Sequence, residues 1–68
     1  MIYKHRVAVE CLATADALRQ VRADLLRLER DEGLDGADAA DAHRVTVEAV
    51  VVAEDLERIA VQLGGSVA

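Results

Sequence analysis

Phenylalanine, tryptophan and proline are absent from this chain, and tyrosine, cysteine and methionine occur once each. With Tyr3 the only aromatic residue, the interior must be built from Val, Leu and Ala, which is thin for 68 residues. Without proline, the chain is punctuated by four glycines at 33, 36, 64 and 65. Cys11 stands alone, so no intrachain disulfide and no thiolate metal site can form within one chain; it reads as a buried, unreactive thiol. The longest unbroken apolar run, Ala49 to Ala53, is far below the ~20 residues of a membrane span. Met1 to Glu10 lacks the apolar core and small-residue cleavage site of a signal peptide, so a soluble, cytoplasmic protein is expected. No Ser-His-Asp set, Gly-rich phosphate loop or Cys pair occurs, and neither enzymatic activity nor a cofactor is expected.

What is present is apolar and helical in pattern. Apolar residues make up 53% of the chain, well above a disordered segment. Val7, Cys11, Thr14, Leu18, Val21, Leu25 and Leu28 recur at alternating spacings of 4 and 3, and Val45, Ala49, Val52, Leu56, Ile59 and Leu63 repeat the pattern. Such alternation is a helical seam with a period near 3.5. The pattern predicts one helical-hairpin domain over residues 1–68: a helix over 4–31, an acidic linker over 32–37, a helix over 38–63 and a flexible tail over 64–68. Gly33 suits a helix stop, and Asp35 or Asp38 suits the cap of the second helix. A rival reading takes Tyr3 to Val9 and Val45 to Val51 as strands of a βαβα chain. It fails because Val52, Ala53 and Glu54 run into Leu56 with no turn residue between them.

The two halves resemble each other. At an offset of 38, His5-Arg6-Val7-Ala8-Val9-Glu10 aligns with His43-Arg44-Val45-Thr46-Val47-Glu48, and eight of 21 pairs from 5/43 to 25/63 are identical. An internal duplication accounts for the shared register.

Charge divides the chain unevenly. The net charge is −5, with two more bases than acids in residues 1–30 and seven more acids than bases in residues 31–68. An acidic chain is a poor general binder of nucleic acid, and a basic protein partner fits the second half better. Seven arginines against one lysine, with abundant Ala and Val, fit a high-GC bacterial or phage source.

The expected architecture is all-α: an antiparallel two-helix hairpin whose seams pack together, assembling as a homodimeric four-helix bundle. The second helix is also apolar on the side away from its seam, where Val47, Val50, Val51 and Val61 fall. Val9 and Leu12 do the same in the first helix. A single hairpin leaves these in water, which marks an association surface. His5 and His43 lie on that outer side. The eight residues Val9, Leu12, Val47, Val50, Val51, Val61, His5 and His43 are therefore the candidate interface.

Other constellations are weaker. Glu10 and Glu48 are repeat-related carboxylates at the seam's edge, but neither half carries the Glu-x-x-His of helical di-metal proteins, so rim carboxylates reaching water or an arginine suffice. Two imidazoles at an interface suit zinc binding or a protonation switch. The linker from Asp31 to Asp38 lacks the ligands of a calcium loop at its third and twelfth positions. The architecture, with Leu34-Asp35 and Asp41 at the turn and Ala53-Glu54-Asp55-Leu56 beyond it, resembles the Rop-type RNA-organising hairpin dimers. That resemblance implies nucleic-acid contact through the first helix, where Arg19, Arg22, Arg27 and Arg30 form an outward face. The expected function is a small non-enzymatic oligomerisation or protein-interaction module. A Rop-like nucleic-acid-binding dimer and a His-based metal or pH sensor are the alternatives.

Overall fold

In the computed structural model, which describes residues 2–64, the chain forms two α-helices packed side by side as an antiparallel hairpin. Helix α1 spans Ile2–Asp31 and α2 spans Gly36–Gln62. No strand occurs among the described residues, and Val45 to Val51 is continuous helix. The hairpin measures 48 × 17 × 17 Å, close to the ~45 Å rise of a 30-residue helix.

The turn is made by glycine chemistry. The Gly33 N–H donates to Leu28 O at 3.2 Å and to Glu29 O at 3.1 Å, and φ of +80° at Gly33 turns the chain out of α1. Asp35 is the N-cap of α2 by position, with extended backbone (φ −119°, ψ 154°). Its carboxylate makes no capping hydrogen bond; its carbonyl instead accepts from Asp38 N at 3.1 Å and Ala39 N at 3.3 Å. The carboxylates of Asp35 and Asp38 near this end suit the positive end of the helix dipole without closing a cap. Gly64, at φ +90°, donates to Val61 O and ends α2. The tail expected over 64–68 lies, from residue 65 on, outside the described residues.

The packing between the helices differs from the seam read in the sequence. The buried set is Ala8 and Ala15 of α1 against Ala42, Thr46, Ala49, Ala53 and Ala60 of α2. Among the described residues no large side chain is fully buried. At 3.6 residues per turn, this stripe is rotated by roughly 80° from Val45, Val52, Ile59 and Leu63, and that of α1 by roughly 100° from its seam. The reason is size. Small side chains let two helices approach closely along their whole length, so the alanine stripe takes the contact line and the larger residues flank it on both sides. Thr46 fits the stripe because its Oγ1 donates to His43 O at 2.8 Å, leaving no unpaired buried hydroxyl.

The internal repeat has a structural counterpart. Ala15 and Ala53 are repeat-related, and both are 0% exposed. The grooves place Leu25 beside Ala42 and Leu18 beside Ala49. Extending this antiparallel register by one turn sets Ala15 opposite Ala53 at the middle of the hairpin. The one ion pair between the helices, among the described residues, joins another repeat-related pair: Arg19 Nη2 donates to Glu57 Oε1 at 2.6 Å.

Candidate interaction surfaces

Because the alanine stripe occupies the contact line, the hairpin presents two broad apolar faces. The first, here called the valine face, carries a cleft of about 420 Å³ lined by Arg22, Leu26, His43, Thr46, Val47, Val50 and Val51. Four of the eight residues marked as candidate interface from sequence, His43, Val47, Val50 and Val51, are brought together here. Val61 is three turns beyond Val50 on the same side of α2. Leu12 lies about four turns before Leu26 in α1, with Val9 and His5 following on that flank. Val47, Val51 and Val61 are more than half exposed, and Val50 is 38% exposed. Val9 is also exposed, whereas Leu12 is half-buried. His5 and His43 are both exposed and lie toward opposite ends of one hairpin, so they do not share a ligand within one chain.

The opposite, leucine face carries the residues that the sequence placed inside the hairpin. One groove of about 310 Å³ is lined by Leu25, Leu28, Leu34, Asp38, Asp41, Ala42 and Val45. A second, of about 160 Å³, is lined by Leu18, Val45, Glu48, Ala49 and Val52. Val45 contributes to both, so the two grooves adjoin one another along the hairpin. Val21, Leu28, Val45, Val52 and Ile59 are 37 to 47% exposed. Leu18, Leu25 and Leu56 are half-buried at its floor. The sequence pattern points to an exposed valine stripe but not to this one, because it places the seam in the hairpin's own core.

Electrostatics distinguishes the faces. The valine-face cleft is lined by Arg22 and His43 and by no carboxylate. The leucine-face grooves are lined by Asp38, Asp41 and Glu48 and by no base. Beside the first cleft, Arg19 reaches Glu57 and also lies 3.7 Å from Asp16. The hydrogen bond it donates to Glu57, reinforced by the charges of Glu57, Asp16 and Glu54, holds the Arg19 guanidinium above its ordinary pKa despite some opposing desolvation. The remaining pairs lie within a helix or at its end: Arg6–Glu10, Arg44–Asp41, Arg58–Asp55 and Arg30–Asp31. Exposed pairs of this kind tune surface charge more than stability.

The other candidates are dispersed. Glu10 and Glu48 are exposed, and Glu10 pairs with Arg6 at 3.5 Å. Among the described residues no group of three or more His, Cys, Asp or Glu is placed to hold a metal ion. Cys11 is half-buried rather than sealed in a core, because the alanines beside it take the contact line. Thr14, read as a seam residue, is exposed and donates to Glu10 O at 2.8 Å. Of the four outward arginines, Arg19 and Arg30 are engaged by carboxylates, leaving Arg22 and Arg27 without ion pairs among the described residues. Among the described residues, no helix is long and apolar enough to cross a membrane. Comparison with protein-family models, curated proteins and solved structures finds no match to this chain.

Proposed function

We propose that the protein is a non-enzymatic association module that works as a homodimer of hairpins, a four-helix bundle closed through the valine face. One observation carries this reading. Among the described residues the hairpin buries six alanines and a threonine, while twelve larger apolar residues stay more than a third exposed. A buried methyl is worth about 0.8 kcal/mol, so six alanines contribute about as much as two fully buried leucines. A chain of this length needs more than that to hold its fold, and association is one way to supply it.

The dimensions support the same reading. A face of 48 by 17 Å offers roughly 800 Å², the area each partner buries in a standard stable interface. The valine face suits a second copy because its charges are mixed. Arg19 is matched by Glu57 and Asp16, so a two-fold axis through this face opposes no large like-charged patches. At 1.5 Å per residue, His5 stands about 39 Å from the turn end of α1 and His43 about 10 Å from the start of α2. These distances add to about the hairpin's length. Two fully overlapped copies with opposed turns therefore set His5 of one protomer at the level of His43 of its partner.

The test is Val50→Glu. A buried valine is worth on the order of 1.5 kcal/mol, and a two-fold dimer loses it twice, which weakens association by about a hundredfold or more. Sedimentation should show a dimeric wild type and a dissociated or unfolded variant. A monomeric wild type with an equally stable Val50→Glu chain overturns the reading.

A further inference from the structure

We propose that the leucine face is the docking site for a basic amphipathic helix of another protein, with an apolar stripe laid along the two adjoining grooves and Lys or Arg side chains reaching Asp38, Asp41 and Glu48. This rests on the reading above, in which the valine face is taken by a second copy and the leucine face stays open in the dimer.

The floor of the site is a long apolar trough. Leu18 and Leu25 are seven residues apart in α1, as are Val45 and Val52 in α2, so the trough repeats every two helical turns. A visiting helix with apolar residues at i, i+3, i+4 and i+7 presents the matching period. Leu28 and Leu34 extend the floor to the turn.

The rim selects the visitor's charge. Three carboxylates line the grooves and no cation does. Asp38 and Glu48 have no ion pair among the described residues, while Asp41 is shared with Arg44 at 2.9 Å. Farther out, Asp24 sits on the α1 side, accepting from Gln20 at 3.0 Å, and Asp55 sits on the α2 side beside Arg58. Asp38, Asp41, Glu48 and Asp55, four of the nine acids of residues 31–68, thus border this face. A second copy docked here about a two-fold axis would bring acidic rim against acidic rim, which disfavours self-association on this side and favours a basic partner. The visitor's cations would lie at a rim in partial contact with water, so they govern partner choice and the rate of encounter, while the trough supplies the contact area.

The probe is a synthetic 18-residue helical peptide with leucine at the a and d positions and lysine at the flanking e and g positions. Its twin carries glutamate in place of each lysine. Titration of the full-length protein, followed by fluorescence anisotropy, should show saturable binding of the lysine peptide at one per hairpin, weakening as salt is raised. The glutamate twin should not bind. Asp41→Lys with Glu48→Lys changes two exposed residues and should weaken the lysine peptide by about tenfold or more. Val52→Glu should abolish binding while leaving the dimer intact. No binding of the lysine peptide, equal binding of the twin, or undiminished binding to the lysine double variant overturns the proposal. So does dissociation of the dimer by Val52→Glu but not by Val50→Glu, because a second copy then covers this face. Growth beyond the dimer, lost in the lysine double variant, also overturns it, since the valine face of another copy is then the occupant. A monomeric chain that still binds the lysine peptide with the expected charge dependence sinks the dimer and leaves the docking site standing.

Discussion

The alanine contact line makes a demand that hydropathy alone does not. Ala53 is 0% exposed and sits at the middle of the hairpin, facing the level of Ala15, which is also 0% exposed. Replacing Ala53 with leucine adds three carbons at a fully buried position between the two helices, where the extra volume tends to push the axes apart. Overpacking of this kind costs typically 1 to 3 kcal/mol. The added apolar area gives nothing back if it props the helices apart and loosens Ala49 and Ala60 on either side. For a domain of this size, each kcal/mol shifts Tm by about 4–8 °C, so a loss of about 2 kcal/mol lowers Tm by about 8–16 °C. The assay is thermal unfolding by circular dichroism at matched protein concentration, since association makes Tm depend on concentration. Ala17→Leu, at an exposed α1 position, is the control and should leave Tm within a few degrees. If Ala53→Leu is as stable as wild type, or more stable, the helices do not meet along the alanines and the packing described here is wrong.

Three further outcomes follow from the geometry. Gly33→Ala forces a left-handed φ of +80° on a residue with a Cβ, and although the space around it is open, urea titration should show a loss of roughly 1 kcal/mol. Arg19→Glu sets a carboxylate against Glu57 and Asp16 and should lower Tm, whereas combining it with Glu57→Arg restores the cross-helix pair; a swapped chain no better than the single variant removes that pair from the account. A short RNA duplex should not be retained at physiological salt, because carboxylates engage two of the four outward arginines; salt-sensitive retention lost in Arg22→Glu with Arg27→Glu would restore the nucleic-acid alternative.

The two helices were legible because their apolar residues recur at 3 and 4 and their ends carry glycine. The turn was legible for the same reason: only glycine takes a φ of +80° at position 33 without strain. Which stripe meets the partner helix was not legible. Val45, Val52 and Ile59 share their period with Ala42, Ala49 and Ala60, so periodicity fits either stripe. Hydropathy ranks valine above alanine, whereas the distance between two long helices is set by the smallest side chains along the line of contact. The role of Asp35 was half legible. Its position is that of a cap, but its carboxylate makes no capping hydrogen bond. The Arg19–Glu57 pair is not legible in the sequence: with Leu18 beside Ala49, Arg19 stands several residues from the level of Glu57, and the reach of two long side chains joins them. For the candidate surfaces, the valine stripe was visible because Val47, Val50, Val51 and Val61 fall away from the seam. The leucine face is hidden in the sequence because its residues carry the period of a core seam.

The central claim is that this hairpin is half of its working form. Sedimentation equilibrium of the wild-type chain at micromolar concentration tests it most directly. The account predicts a folded, helical species of twice the 7.3 kDa chain mass. A single species of 7.3 kDa, fully helical and cooperatively unfolding, would contradict it.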